Sequence, residues 1–256
     1  DRGRVATPHS GRDTSAQQLY PDIISMTLFL SFILGMMITV VLIPPLISVA
    51  SKWNMVDAPG ERKIHLSNIP RIGGVAMVFG TLLPVILLLV DHPAIQAYIA
   101  AMLILLLFGA LDDKFNINYK WKFLGQLLAT TVLIVFGDVR IDNLSFLNIA
   151  MLPSYISIPF TVIALLGVTN AINLADGLDG LAGGLSLLSL GGIALIAYAT
   201  GNNPITIIAL VVMGSILGFL RFNTYPARIF MGDTGSQFLG FTLGVAVILL
   251  SQQPDM

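Results

Sequence analysis

The sequence predicts an all-α polytopic membrane protein, built as a bundle of about eight transmembrane helices. Of its 256 residues, 55% are hydrophobic and only 11% are charged, whereas a soluble domain carries about 25% charged residues. The mean hydropathy is +0.86. Apolar runs recur along the chain without the alternation of barrel strands, and helices satisfy their own backbone hydrogen bonds inside a bilayer.

Eight apolar runs are candidate spans, because crossing a bilayer takes about 20 residues, or about 17 at the short end. They cover residues 23–50, 73–90, 94–111, 121–137, 149–170, 181–200, 204–220 and 236–251. The fifth contains Pro153 and Pro159, so its start is ill-defined and the helix can be broken there. We assign residues 23–256 to one transmembrane domain. Residues 1–22 lack the apolar core of a signal peptide, and we expect them to form a disordered or non-native tail.

The basic residues predict the orientation. With eight spans, the loops 51–72, 112–120, 171–180 and 221–235 share one side of the membrane. That side holds Lys52, Arg62, Lys63, Arg71, Lys114, Lys120, Lys122, Arg221 and Arg228, and the other side, leaving out the tail, holds Arg140. Because basic residues accumulate in cytoplasmic loops, we expect a protein of the cytoplasmic (inner) membrane with these loops inside. No basic block indicates a nucleic-acid partner, and the lack of cysteine excludes disulfides and thiolate metal sites.

Carboxylates converge on the same face, because the four cytoplasmic loops carry Asp57, Asp112, Asp113, Asp176, Asp179 and Asp233. Asp112 and Asp113 end an apolar helix and repel each other, so at least one should have a raised pKa unless a cation lies nearby. A divalent ion or a catalytic proton transfer would explain this pair, and so would a solvated loop with Lys114 as counter-ion. Lys120 and Lys122 contact either phosphate or lipid head groups, or they anchor the helix at the interface.

The segment "NAINLADGLDGLAGG", residues 170–184, places polar groups between two apolar runs. Asn173, Asp176 and Asp179 are spaced i, i+3 and i+6, which on a helix puts them close to one face. Two carboxylates and an amide on one face suit Mg²⁺, water or a sugar hydroxyl. The alternative is that they cap the helix that follows.

Two further loops carry candidate binding groups. Asp233 directly precedes the last apolar run, either as a Mg²⁺ ligand beside backbone N–H groups that face phosphate, or as a helix cap. Phe230 and Asn223 offer a stacking face and an amide to a base, or they simply pack. The first loop, "DAPGERKIHLSNIPRIGG", includes Asp57 and Lys63 and fits a phosphate-binding loop or contact with charged lipids.

No P-loop, zinc-protease or nucleophile-elbow motif occurs in the sequence. The predicted site is therefore one of carboxylates and cations at the cytoplasmic membrane face. Since Mg²⁺ usually binds through one or two carboxylates together with substrate phosphates, the favoured chemistry is phosphoryl transfer to a lipid acceptor. A cation transporter is the alternative from another class, but it needs carboxylates near the middle of the membrane.

Four motifs in order, "DAPGERKIHLSNIPRIGG", "GALDDKF" with "WKFLGQ", "NAINLADGLDGLAGG" and "FNTYPARIFMGDTGS", resemble those of the polyprenyl-phosphate N-acetylhexosamine-1-phosphate transferases. The resemblance covers residues 26–251. The first motif looks more like the branch that makes lipid-linked GlcNAc than the phospho-MurNAc-pentapeptide transferases that make lipid I, which remain the alternative.

The resemblance implies that a UDP-N-acetylhexosamine, UDP-GlcNAc in this branch, gives its sugar 1-phosphate to polyprenyl (undecaprenyl) phosphate and releases UMP, for lipid-linked cell-envelope polysaccharide. It implies a requirement for Mg²⁺, with Mn²⁺ as a substitute, and leaves a homodimer open. Asp233 would be the metal ligand, Asp112 and Asp113 the essential acidic pair, and Lys122 a phosphate contact. Asn173, Asp176 and Asp179 would line the nucleotide-sugar site, Asn223 and Phe230 would lie beside the uracil, and Asp57 and Lys63 belong to the first-loop motif.

One departure from the family pattern concerns histidine. This branch carries a His-x-His-His motif in a later cytoplasmic loop, whereas the only histidines here are His9, His65 and His92. We therefore expect a C-terminally truncated member, with an inactive fragment or a scaffold as a further alternative.

Overall fold

A computed structural model describes residues 14–50, 52–53, 55–57, 68–144 and 151–252, with the side chains of the first helix described from Ile24 onward. The described residues form eight helices and one pair of two-residue strands. The elements are α1 Thr14–Ala50, β1 Val56–Asp57, β2 Ile69–Pro70, α2 Gly73–Leu89, α3 Pro93–Phe115, α4 Tyr119–Gly137, α5 Ser154–Ala175, α6 Leu181–Ala199, α7 Asn203–Asn223 and α8 Gly232–Ser251. The predicted all-α polytopic membrane fold is confirmed, apart from the short antiparallel strand pair.

Six of the described helices are long and apolar enough to cross a membrane. They cover Ile24–Ala50, Pro93–Phe115, Ser154–Ala175, Leu181–Ala199, Asn203–Asn223 and Gly232–Ser251. The helix α2 is also apolar, but its 17 residues make it shorter than each of these six helices. The helix α4, which begins with Lys120 and Lys122 in its first turn, is not among the six.

The helix ends differ from the apolar runs where polar residues continue a helix. The helix α1 begins at Thr14, inside the segment 1–22 that was assigned to the tail, and residues 1–13 lie outside the described part. The helix α5 starts after Pro153 and runs unbroken through Pro159 to Ala175, five residues beyond the predicted end. Hydropathy marks only the apolar part of a helix, so it misses turns whose polar side chains pair with neighbouring helices.

The helices α7 and α8 form the centre of the bundle. In their most apolar stretches 67% and 78% of residues are buried, compared with 22% for α1 and α5. The helix α7 packs against α1, α2 and α6, whereas α8 packs against α2, α3, α5 and α6. The N-terminus of α8, which carries Asp233, is therefore surrounded by the ends of other helices.

Glycine allows α1 and α7 to approach at backbone contact. A Cβ on Gly214 would overlap the carbonyl oxygen of Phe32, and a Cβ on Gly35 would overlap that of Val211. Small residues of this kind are typical of helix pairs in membranes, where van der Waals packing replaces hydrophobic burial as the main attraction. The two glycines therefore let α7 pack closely along α1.

Candidate active site

The first turn of α8 is capped by a carboxylate from another helix. Asp113, in the last turn of α3, accepts a hydrogen bond from the Asp233 N–H on Oδ1 (2.7 Å) and one from the Thr234 N–H on Oδ2 (3.0 Å). The hydroxyl of Thr234 also donates to Oδ2 (2.7 Å). Gly232 has φ 70°, and a Cβ there would lie 2.6 Å from Asp113 Oδ1. Both oxygens of Asp113 therefore serve to hold the start of α8, and with it Asp233.

Lys122 bridges two carboxylates that belong to different helices. Its Nζ lies 2.6 Å from Oδ2 of Asp112 on α3 and 2.8 Å from Oδ1 of Asp233 on α8. The Asp112 side chain is 5% exposed and that of Asp233 13% exposed. Carboxylates this buried and this close require a cation between them. Lys122 supplies it for Asp112 and Asp233, whereas Lys114, the counter-ion weighed for Asp112 and Asp113, has its ammonium over the Phe115 ring at 5.0 Å.

Arg71 extends this arrangement to the first loop. Its guanidinium lies 3.5 Å from Oδ2 of Asp233 and 4.0 Å from Oδ1 of Asp57. The backbone holds it in place, because the N–H of Phe230 donates to Pro70 (2.7 Å) and the N–H of Gly73 donates to Phe230 (3.0 Å). Charges of alternating sign therefore run from Asp57 through Arg71, Asp233 and Lys122 to Asp112. We refer to these five side chains, with the adjoining Asp113, Asn173 and Asp176, as the ionic cluster.

Asn173 fixes the other side of Asp233. Its amide nitrogen donates to Oδ1 of Asp233 (2.8 Å) and to Oγ of Ser236 (2.7 Å). Asp176 follows as the C-cap residue of α5. Burial raises the pKa of Asp176 to about 7, with the negative charges of Asp233 and Asp113 acting in the same direction and Arg71 opposing them. At neutral pH this carboxyl therefore titrates.

The prediction that Asn173, Asp176 and Asp179 share a helix face is wrong, because α5 ends at Ala175. Asp176 has φ −78° and ψ 50°, outside the helical range, so the chain turns away before Asp179 is reached. The capping alternative does not hold either, since α6 has Gly180 (φ 74°) as its N-cap and no side chain caps it. Asn173 and Asp176 lie toward Asp233, whereas Asp179 lies toward the loop that contains Ala227.

Asp179 and Asn223 join the two loops next to the site. Oδ2 of Asp179 accepts a hydrogen bond from the Ala227 N–H (3.0 Å). The Asn223 side chain is buried, accepts from the Gly180 N–H (2.9 Å) and donates to the Ile229 carbonyl (2.9 Å). Both polar ends of Asn223 are thus used within the protein. Contact between Asn223 and a base stays a prediction, for which the amide keeps one further donor and one further acceptor position.

An apolar groove lies between α4 and α5. It is lined by Tyr119, Lys120, Phe123, Leu124, Leu127 and Leu166. Phe123 and Leu124 directly follow Lys122 in α4, but neighbouring helix positions point about 100° apart. The groove and Lys122 therefore lie on different faces of the same end of α4.

The donor set of the cluster fits a hard divalent cation. Five carboxylates (Asp57, Asp112, Asp113, Asp176, Asp233) and two cationic side chains (Arg71, Lys122) meet here, with Asp113 bound to backbone N–H groups, and oxygen ligands are those that Mg²⁺ prefers. Among the described residues, no three acidic or histidine side chains are grouped closely enough to hold a metal alone. A Mg²⁺ here would be held by Asp233 with one further carboxylate at most and completed by substrate phosphates.

Most of the predicted site residues meet in one place. Asp57, Asp112, Asp113, Lys122, Asn173, Asp176 and Asp233 form the cluster, Asp179, Asn223 and Phe230 lie in the adjoining loops, and Lys63 falls outside the described residues. The prediction missed Arg71 as a site residue, because a basic residue in a cytoplasmic loop is equally well explained by lipid. Its position two residues before the Gly73-Gly74 pair was the available signal.

The comparisons with known proteins agree on one family. The model of glycosyl transferase family 4 matches residues 95–251. The chain is 40% identical over 217 residues to a probable undecaprenyl-phosphate N-acetylglucosaminyl 1-phosphate transferase of Bacillus subtilis, covering 83% of this chain and 60% of that protein. It is 30% identical over 239 residues to a phospho-N-acetylmuramoyl-pentapeptide-transferase of Clostridium novyi, covering 88% of this chain and 73% of the relative.

A third relative is a decaprenyl-phosphate N-acetylglucosaminephosphotransferase of Mycobacterium leprae, 33% identical over 217 residues. The match covers 77% of this chain and 54% of that protein. The chain thus spans between 54% and 73% of the length of these three relatives.

Proposed function

The chain belongs to glycosyl transferase family 4, and we propose that it transfers N-acetylglucosamine 1-phosphate from UDP-GlcNAc to undecaprenyl phosphate, releasing UMP. The observation that carries this proposal is Lys122 held between Asp112 and Asp233 with Arg71 on the far side. Phosphoryl transfer is catalysed mainly by positioned positive charge, and this cluster offers two cations, to which a bound Mg²⁺ would add a third.

The reaction needs one bond formed and one broken. An oxygen of the lipid phosphate attacks the phosphorus that carries the sugar, the bond from that phosphorus to the UMP phosphate breaks, and negative charge moves onto UMP. Lys122 and Arg71 are placed to stabilise this charge in a site partly shielded from water. A bound Mg²⁺ would clamp the two phosphates and neutralise charge, and Asp233 is the residue proposed to hold it.

The acceptor is expected to come from the bilayer. The groove between α4 and α5 is apolar along Phe123, Leu127 and Leu166 and carries Lys120, which is in the first turn of α4 as Lys122 is. A polyprenyl phosphate placed there would bury its hydrocarbon in the groove and present its phosphate to Lys120, at the end of α4 that carries Lys122. The basic loops support an inner-membrane protein with this site on the cytoplasmic side.

The names of the relatives favour one sugar donor. The names of the relatives from Bacillus subtilis and Mycobacterium leprae specify N-acetylglucosamine phosphate transfer, at 40% and 33% identity. The relative from Clostridium novyi, at 30% identity, carries the name of a pentapeptide transferase. We therefore favour UDP-GlcNAc over UDP-MurNAc-pentapeptide.

The test is UMP release by the purified chain in detergent, with undecaprenyl phosphate, Mg²⁺ and either UDP-GlcNAc or UDP-MurNAc-pentapeptide. We expect release with UDP-GlcNAc and a loss of about 10²-fold or more in Asp233→Asn, the size seen when one electrostatic contact to a transition state is removed. Equal rates for Asp233→Asn and the unsubstituted chain, or with Mg²⁺ removed by EDTA, would contradict the role of Asp233.

A chimera distinguishes two explanations for an inactive chain: that it lacks residues needed for activity, or that the proposed reaction is wrong. The region that follows the matched part of the Bacillus subtilis relative is joined to the C-terminal end of this chain, since that relative is longer. Activity in the chimera but not in the chain would show that the cluster is competent and that more residues are needed. Activity in neither would reject the proposal.

A further inference from the structure

Three amide side chains form a second polar layer inside the bundle. The Asn170 amide nitrogen donates to Oε1 of Gln126 (2.8 Å), and Nε2 of Gln126 donates to Oε1 of Gln237 (3.1 Å). The Asn170 nitrogen also donates to the Leu166 carbonyl (2.7 Å). Gln126 and Gln237 are each 1% exposed. This amide layer (Gln126, Asn170, Gln237) connects α4, α5 and α8.

Each member of the amide layer lies one helical turn below a member of the ionic cluster. Gln126 follows Lys122 by four residues on α4, and Gln237 follows Asp233 by four residues on α8. Asn170 precedes Asn173 by three residues on α5. Residues at these spacings are stacked on one face of a helix, so the two layers share the same three helix faces.

The link between α4 and α8 depends on these side chains. The helix α4 packs mainly on α3 and also on α5, while α8 packs on α2, α3, α5 and α6. Lys122 to Asp233 and Gln126 to Gln237 are the side-chain hydrogen bonds recorded between α4 and α8 in the described part of the chain. Because a hydrogen bond is directional and weakens steeply with misalignment, the Gln126 bond constrains how α4 slides or rotates against α8.

The buried amides also favour one packing arrangement of these helices over others. An apolar side chain tolerates many positions in a hydrocarbon environment, whereas a buried amide without a partner is costly. The arrangement with all three amides paired is therefore favoured over shifted arrangements of the same helices. It is also the arrangement that brings Lys122 within 2.8 Å of Asp233.

We propose that Gln126, Asn170 and Gln237 are positioning residues, which set the placement of Lys122 relative to Asp233 and thereby the rate of the transfer reaction. This inference rests on the proposed function for its kinetic consequence, but not for its structural one. The amides do not reach the reacting groups themselves. They act through Lys122, Asn173 and Asp233, one turn away.

The kinetic test compares Gln126→Met with the pair variant Gln126→Met/Gln237→Met. The single variant leaves Gln237 without its partner and should lower both Tm and kcat. The pair variant replaces both partners and should recover most of the Tm, yet its kcat should stay roughly ten- to hundredfold low, because small displacements of catalytic groups are that costly. The KM for UDP-GlcNAc should change less than kcat. Recovery of kcat together with Tm would overturn the proposal, as would an unchanged kcat in Gln126→Met.

The control is Thr130→Val, one turn deeper than Gln126 on the same helix. Thr130 is buried and its hydroxyl has no hydrogen-bond partner, so the nearly isosteric valine removes a polar atom without breaking a link. We expect kcat to be unchanged. A loss in Thr130→Val equal to that in Gln126→Met would overturn the proposal, because it would show a general response to changes in α4.

A second measurement needs no activity and so separates this inference from the proposed function. Lys122→Met should lower the Tm of the unsubstituted chain, because it leaves Asp112 and Asp233 without their cation. The same substitution should lower the Tm less in a Gln126→Met background, where Lys122 is already displaced, and by the original amount in a Thr130→Val background. Additive Tm shifts for Gln126→Met and Lys122→Met would reject coupling between the layers, even in a chain that releases no UMP.

Discussion

Asp113 and Thr234 join the last turn of α3 to the first turn of α8 through two hydrogen bonds to one carboxylate oxygen, from the Thr234 N–H at 3.0 Å and its hydroxyl at 2.7 Å. The first N–H groups of a helix have no partner within the helix, and a negative charge near them is favourable. A carboxylate contributed by α3 therefore performs the task that a local N-cap residue performs in most helices.

Asp113→Ala is expected to destabilise the protein. It removes the acceptor for two backbone N–H groups, and loss of a helix cap typically costs about 1–2 kcal/mol of unfolding free energy. Thermal unfolding in detergent measures the change. Thr234→Ser keeps both donors and is the control, for which we expect a much smaller shift. An unchanged Tm in Asp113→Ala would show that water replaces this cap without loss.

Lys122→Met should abolish most of the UMP release, because the cation nearest to Asp112 and Asp233 is lost while the length of the side chain is kept. A reduction of about 10²–10³-fold is the expected size for a group that stabilises transition-state charge. Lys114→Met is the control, since Lys114 is an exposed lysine next to the acidic pair and its ammonium lies over the Phe115 ring at 5.0 Å. Similar losses in both variants would assign the effect to the general positive charge near the acidic pair.

Gly74→Ala should destabilise the fold, because α2 and α8 meet there at backbone distance. A Cβ on Gly74 would overlap the backbone nitrogen of Gly235, and overpacking of this kind costs about 1–3 kcal/mol. Gly192→Ala, where a Cβ meets nothing within 4 Å, is the control, with Tm unchanged or slightly higher. The measurement is thermal unfolding of both variants, and equal Tm values would mean that the two helices separate easily.

The pH dependence of stability should carry a contribution from Asp176. Its pKa in the folded chain is about 7, compared with about 3.9 for an unfolded aspartate. Between these values the folded state binds more protons than the unfolded state, so the free energy of unfolding falls as pH rises from about 4 to 7 and the loss is complete above pH 7. Asp176→Asn removes this contribution.

The measurement is Tm at pH 5 and pH 8 without divalent metal, in the unsubstituted chain and in Asp176→Asn. The fall in Tm towards pH 8 should be smaller in the variant. Asp138→Asn, at a side chain that is 81% exposed, should keep the original pH dependence. Parallel profiles for the unsubstituted chain and Asp176→Asn would contradict a buried, protonated Asp176.

The sequence was sufficient to predict the helices and the convergence of the acids, because both follow from hydropathy and from the alternation of spans. The predicted end of α5 is five residues early, because hydropathy assigns the polar Asn170 and Asn173 to a loop. In the structure both are helical and pair with side chains on α4 and α8. Long-range pairing of this kind leaves no local pattern in a single sequence.

The sequence also does not reveal that adjacent residues have different roles. Asp112 and Asp113 form one motif, yet one turns toward Lys122 and the other toward the backbone of α8. Helical geometry separates neighbouring side chains by about 100°, as 3.6 residues per turn requires, so two identical residues meet different surroundings.

The pairing of Lys122 also bears on the biogenesis of the protein. Asp112 and Lys122 lie in consecutive helices and are 2.6 Å apart, so the α3–α4 hairpin can enter the bilayer as it leaves the ribosome with this charge pair already neutralised. Asp113 has no such local partner, because the donors it binds are at residues 233 and 234. Its carboxylate therefore has no partner until α8, four helices later, has been synthesised and has docked against α3.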